Sequence, residues 1–172
     1  MVDDPGAEVR TALDATGVGY EVMDCDPELA DTTAFCEHYG VPVDRSANTI
    51  LVAGKPRGGG DPVYVACVVL AHTRLDVNGA VRKRLDVKKA SFASGDQTRE
   101  LTGMLIGGVT AAALPDGVPL WVDSRVMDAP WIVLGGGDRS SKIKAAPEVL
   151  TALGAEIVPD LAVIPDDDGR GA

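Results

Sequence analysis

Two adjacent glycines, Gly107 and Gly108, interrupt the apolar run "LIGGVT" (Leu105 to Thr110). Glycine inside a strand gives up packing and costs backbone entropy, so the pair asks what must approach the backbone there. Main-chain N–H groups bared at such a pair can bind a carbonyl or a developing oxyanion directly. The same pair can equally form a β-bulge or the tight crossing of two chain segments. Other chemistry is poorly supplied. There is no G-x-S-x-G elbow, and the two histidines, His38 and His72, do not suit a Ser/His/Asp triad. "GGGDRSSK" (Gly135 to Lys142) lacks the glycine before the lysine that P-loop spacing requires. No G-x-G-x-x-G follows an early strand, as a Rossmann dinucleotide site would need. Neither histidine lies at metal-ligand spacing from the other or from a cysteine pair, so no metal and no cofactor is expected.

The elements that must hold these residues follow from pattern. Pro5 to Thr16 is expected to be a helix, with Val9 and Leu13 one turn apart and Gly17 as its cap. "YEVMDC" (Tyr20 to Cys25) alternates like a strand, and "DTTAFCEHYG" (Asp31 to Gly40) reads as a short helix ended by its glycine. "NTILVAG" and "VYVACVVL" flank the loop "KPRGGGDP" and predict a hairpin. The second of these strands is apolar on both faces and should be central. Asp76 to Asp86 and Ser94 to Gly103 predict two helices. "IGGVT", "PLWVD" and "WIVLGG" are short strand candidates, followed by the helix "APEVLTALG" and the strand "AEIVPD". Strands and helices mix without a strict βαβ rhythm. The expected class is α+β, a mixed, strongly curved, barrel-like sheet with helices packed outside.

Length and charge set the bounds. At 172 residues the chain predicts one domain, placed here at residues 1–161 with an acidic disordered tail over 162–172. No apolar run reaches membrane-spanning length and no basic-then-apolar leader opens the chain, so a soluble cytoplasmic protein with no membrane partner is expected. The cysteines, Cys25, Cys36 and Cys67, are odd in number and sit in apolar patterns, which argues for packed, reduced thiols. The net charge of −10 discourages nucleic acid at face value. Its distribution does not: residues 45–155 hold 14 basic against 10 acidic residues, between strongly acidic ends. That permits a local anion-binding face.

The stretch "VKKASFASGDQTRELTGMLIGGVTAAALP" resembles the core motif of the YbaK/EbsC family, the prolyl-tRNA-editing-domain type of aminoacyl-tRNA deacylase. "PLWVDSRVM", "WIVLGGGDRSSKI" and "APEVLTAL" continue the likeness in order, so it spans about Val9 to Val158. The resemblance implies hydrolysis, in trans, of the ester of a mischarged tRNA. It implies that the backbone at Gly107, Gly108, Val109 and Thr110 holds the ester and its developing charge, and that Asn48 and Thr49 position the substrate. Thr32 falls near a helix-opening hydroxyl of the family's pocket, and Lys142 near a position where a histidine is frequent. Lys83, Lys88 and Lys89 are the candidates for tRNA phosphates; with Arg82 and Lys142 they are expected to share one face. The partners implied are the aminoacyl-tRNA acceptor end and an aminoacyl-tRNA synthetase. The sequence departs from the pattern twice: Asn48 stands where active members carry a lysine, and Ala111 where a proline stands. Asparagine donates a hydrogen bond but supplies no charge. The alternative is therefore a non-catalytic tRNA- or nucleotide-binding relative that lost turnover with that lysine. Trp121, Trp131 and Asp123 are expected to be structural, the aspartate as a cap.

Overall fold

The run "VYVACVVL" has nothing polar to turn toward water except its tyrosine, and it becomes the middle of the largest sheet. The computed structural model describes residues 4–165. In chain order the elements are α1 (Pro5–Asp14), β1 (Tyr20–Asp24), α2 (Thr32–Tyr39), β2 (Ala47–Lys55), β3 (Val63–Leu70) and β4 (Arg74–Leu75). A π-helical turn at Val77–Val81 then runs into α3 (Arg82–Leu85). There follow β5 (Lys89–Phe92), α4 (Gly95–Thr102), β6 (Leu120–Asp123), α5 (Ser124–Met127), β7 (Ile132–Gly135) and β8 (Ser141–Ala145). The chain closes with α6 (Glu148–Ala152), β9 (Glu156–Val158) and β10 (Ala162–Val163).

The mixed α+β class holds, but the strands do not form one barrel-like sheet. They pair into a five-stranded sheet of order β5-β2-β3-β6-β9, a three-stranded sheet β1-β8-β7 and a two-stranded ribbon β10-β4, none of them closed. The predicted hairpin is present, with β2 and β3 antiparallel from Ala47↔Leu70 to Gly54↔Val63. β3 pairs parallel with β6, and β6 with β9. The two larger sheets touch through one isolated bridge, Ser46↔Val133. β7 ends at Gly135, and the two larger sheets pack through a shared apolar cluster instead of merging.

"IGGVT" is not a strand: Ile106–Gly108 is a turn. The strands the sequence pattern did not announce are β4, β5, β8 and β10, of which β8 lies between β1 and β7. The expected boundary at residue 161 falls inside structure, because Ala162 is buried and Ala162–Val163 pairs with Arg74–Leu75. The rest of the expected tail, residues 166–172, lies outside the described residues.

The core has two layers because β3 is buried on both faces. Ala66 and Val68 face one cluster with Leu13, Val122, Ile132, Leu134, Ile143 and Leu150, which joins α1, both larger sheets and α6. Val65, Cys67 and Val69 face a second cluster under the π turn and α3, with Val52, Val81, Val87 and Leu161. A third seats α2 against β7 through Ala30, Phe35, Cys36 and Val133. Local signals set the helix ends. Ser94 and Gln97 form a reciprocal capping box at the start of α4, and Gly103 takes the left-handed cap. Asp123 accepts from the Arg125 and Ala162 backbone N–H groups, so it is the expected cap and also anchors β10.

All three cysteines are free and buried. Burial alone pushes the Cys67 thiol up to about 12. In the folded protein at neutral pH, thiol reagents are therefore expected to leave Cys67 unlabelled until denaturant is added, as mass mapping of the modified cysteines would show.

Candidate active site

A cavity of about 240 Å³ opens where the starts of β2 and α2 meet β7, β8 and the Ile106–Gly108 turn. Its walls bring together Thr32, Asn48, Thr49, Gly107, Val109 and Lys142, six residues singled out from the sequence. Phe35, Ile106, Val133 and Leu134 supply apolar wall, and Ser46 a further hydroxyl.

The turn is the centre of this site. The Gly108 N–H donates to the Leu105 carbonyl at 2.8 Å, and Gly107, third in the turn, has φ +90°. A positive φ at that place needs glycine. The carbonyls of the turn's next two residues are each held by a cation. The Ile106 carbonyl accepts from the Arg139 guanidinium at 2.6 Å, and the Gly107 carbonyl accepts from Lys142 Nζ at 2.7 Å. Both cations are themselves anchored: Lys142 donates to the Ala30 carbonyl at 2.7 Å, and Arg139 to the Pro27 carbonyl at 2.9 Å. An amide's N–H lies opposite its C=O. The Ile106 carbonyl, turned to Arg139, sets the Gly107 N–H on the opposite edge, and the Gly108 carbonyl, held by the Gly137 N–H, does the same for Val109; neither N–H has a hydrogen-bond acceptor among the described residues, and both residues line the cavity.

Lys142 is 7 % exposed and sits over the Phe35 ring at 5.2 Å. Burial lowers its pKa, the nearby Arg139 lowers it further, and Cys25 and Asp31 act the other way. An ammonium has three donors. Two are taken by carbonyls, which leaves one for the cavity. Asn48 is oriented by hydroxyls: its Oδ1 accepts from Thr32 at 3.0 Å and from Ser46 at 3.4 Å. That fixes the amide's orientation and leaves its Nδ2 donors without a partner among the described residues. The Thr49 hydroxyl is fully buried and has no partner among the described residues. The site is thus a set of donors without a carboxylate or an imidazole in its lining. It suits a carbonyl that gains negative charge.

Not every expected residue joins it. A Cβ on Gly108 would overlap the Asp138 carbonyl, and Gly137 N–H donates to the Gly108 carbonyl at 2.6 Å. What approaches Gly108 is the glycine-rich loop after β7, the tight crossing of two chain segments, and not a ligand. Thr110 is 1 % exposed, and its N–H donates to the Met104 sulfur, so it lies beneath the cavity and does not line it. Lys83, Lys88 and Lys89 are exposed at the far end of the large sheet. Lys89 faces Lys55, seven residues along β2 from Asn48, or ~24 Å at the usual rise. Lys142 is buried, so the expected single basic face does not form; Arg82, Lys83, Lys88 and Lys89 remain together without it.

Arg139, the clamp on Ile106, was not singled out from the sequence. Its only sequence signal was membership in "GGGDRSSK", and its partners lie 33 and 112 residues away. Phe35 and Ser46 were likewise missed as lining residues.

Against known proteins, the sequence profile of the aminoacyl-tRNA editing domain matches residues 26–153. A protein of Agrobacterium vitis, provisionally named a hydroxypyruvate reductase, is 26 % identical over 139 residues; this is 78 % of the present chain but 30 % of that protein's length. Among solved structures, a protein provisionally described as a trans-editing enzyme for prolyl-tRNA synthetase superimposes with a TM-score of 0.76 at 23 % identity. The match covers 92 % of this chain and 98 % of the other. The hypothetical protein APE2540 superimposes with a TM-score of 0.77 at 24 % identity, covering 90 % and 99 % of the two chains. At these identities the superpositions establish a shared fold.

Two outcomes follow from the clamp. Gly108→Ala, which sets a methyl against the Asp138 backbone, is expected to cost about 2 kcal/mol or more of stability in urea unfolding. For Lys142 the native pKa lies below the ordinary 10.5, so between the two values the unfolded chain binds more protons and stability rises with pH. Wild type should therefore gain on Lys142→Met as unfolding is measured from about pH 7 toward about pH 10. A difference between the two that does not change with pH would contradict this.

Proposed function

Since the chain belongs to the aminoacyl-tRNA editing domain family, we propose that it is a deacylase that hydrolyses, in trans, the ester joining a wrong amino acid to tRNA. The observation that carries this is the convergence, around one cavity, of Gly107 and Val109, whose N–H groups have no acceptor among the described residues, with the donor side chains of Lys142 and Asn48. The ester carbonyl sits against these donors. Water adds to its carbon, and the charge gathering on the carbonyl oxygen is taken by groups already fixed in place. As the carbon–oxygen bond to the ribose breaks, the proton lost by water passes to the departing ribose oxygen, since no side-chain base lines the cavity. Phe35, Val133 and Leu134 limit the size of the amino-acid side chain admitted, which is how an editing site spares the cognate product.

The chain acts in this reading as one cytoplasmic editing domain that includes β10, and its partners are the acceptor end of the tRNA and an aminoacyl-tRNA synthetase. Among the described residues no helix is long and apolar enough to cross a membrane. A second reading has one observation in its favour: Asn48 stands in the place of the family's lysine. It makes the protein a binder that has lost turnover.

Deacylation of a panel of mischarged tRNAs tests both. Wild type is expected to be active. Asn48→Asp keeps the shape, turns the amide donors into an acceptor, and should lower the rate at least fivefold, the worth of one neutral hydrogen bond of about 1 kcal/mol. Asn48→Lys replaces a neutral donor by a charged one, worth about 1–2 kcal/mol more, and should raise the rate roughly five- to thirtyfold. A silent wild type with a large gain in Asn48→Lys supports the binder. Silence in every variant on every tRNA ends the enzyme reading.

A further inference from the structure

The chain has two phenylalanines, and they are placed oppositely. Phe35 is 1 % exposed in the cavity wall, whereas Phe92 is 60 % exposed on β5, the edge strand of the large sheet. Phe92 pairs directly with Val52 on β2. Directly paired residues share a face, and residues four apart on a strand share it too. Phe92, Ile50 and Asn48 therefore lie on one face, with Phe92 ~14 Å along β2 from the level of Asn48. The half-buried Ile50 fills the interval.

Two further contacts tie this surface to the cavity and to the basic residues. Gly95, three residues beyond Phe92, lies against Ile106, whose Cγ1 is 3.6 Å from where a Cβ on Gly95 would sit. Ile106 forms the cavity rim and is itself 55 % exposed. At the other end, Leu85 and Val87 cover Gly54 on the same face, so α3 with Arg82 and Lys83 lies over the β2–β5 pair, and Lys88 and Lys89 lead into β5 toward Phe92. Arg84 is committed to Glu156 and the Trp121 ring, and Asp86 is paired with Arg57. At this end of the path the exposed charge is positive, Lys83, Lys88 and Lys89 with the half-buried Arg82, while Asp96 and Glu100 on α4 are exposed at the cavity end.

An exposed aromatic on an open sheet, with an apolar approach on one side and cations on the other, is how proteins take a single nucleic-acid strand: bases stack on the ring and phosphates meet the cations. We infer that Phe92 is the stacking platform for an unpaired base of the RNA strand that enters the cavity by its 3′ end. This inference rests on the deacylase reading for the identity of the strand. The RNA runs from the Asn48 cavity over Ile106 and Ile50, sets a base on Phe92, and carries its backbone to Arg82, Lys83 and Lys88. The far basic residues then act on the same strand as the cavity, with Lys142 kept inside for the ester.

The test uses the full chain, a mischarged tRNA, and a short single-stranded RNA with 2-aminopurine near its 3′ end. Phe92→Ala is expected to weaken binding of the labelled RNA roughly five- to hundredfold and to abolish its stacking-induced fluorescence quenching. Phe92→Trp should retain both, and Phe92→Leu, apolar but without a π face, should not. On mischarged tRNA the loss should appear in KM with kcat little changed. Wild-type RNA binding with no turnover, still lost in Phe92→Ala, supports the platform while removing the deacylase reading. Deacylation by wild type with binding and KM unchanged in Phe92→Ala and Phe92→Leu overturns the platform and leaves the deacylase reading standing. Absence of any RNA binding by wild type overturns both.

Discussion

Two cations holding two successive carbonyls, Arg139 on Ile106 and Lys142 on Gly107, are the constraint from which the candidate site follows. A peptide unit whose oxygen is fixed has its N–H fixed on the other edge. Hydrogen bonds to a charged donor are worth about 1.5–3 kcal/mol each, more than neutral ones, and they also polarise the amide they bind. The turn is thereby held in the conformation that glycine permits: the Gly108 N–H closes it on the Leu105 carbonyl, and the Gly107 N–H is left without an acceptor among the described residues. Burying Lys142 is costly in itself, as the lowered pKa records. The carbonyls of Ala30 and Gly107 and the Phe35 ring offset that cost.

The clamp could not form without the close crossing beneath it. Gly108 passes so near Asp138, and Gly135 so near Val109, that a side chain at either would overlap backbone. Because the segments lie that close, the loop after β7 can deliver Arg139 to one carbonyl while β8, entering next, delivers Lys142 to the other. The glycines thus serve packing, and packing serves the donors. The division is visible within the pair: Gly107 takes a backbone angle that other residues avoid, and Gly108 makes room.

Charge is also divided by depth. One lysine is sealed in the cavity wall, where low dielectric strengthens its interaction with any negative charge beside it. The others are left in water at the far end of the sheet, where charges act by number and are screened by salt. Lys55 and Lys89 face one another across β2 and β5, an arrangement of like charges that costs stability unless an anion lies near. An acidic protein can hold such a surface because its negative charge is concentrated in residues 1–44 and 156–172.

Much of this was legible in the chain. Alternation and β-branched content specified the β2–β3 hairpin, Ser94 and Gly103 bounded α4, and the ordered motifs around "IGGVT" identified the editing family and nominated Asn48, Thr49, Gly107 and Lys142. These are local signals: periodicity, caps and short motifs act over a few residues. Tertiary structure decided the rest. It separated the strands into three sheets, inserted β8 between β1 and β7, and put the Asp138 backbone, not a ligand, against Gly108. It buried Lys142 away from the other lysines. The reason is distance along the chain. Lys142 meets carbonyls 35 and 112 residues away and Arg139 meets others 33 and 112 away, and no propensity of the residues between them encodes which will be brought together.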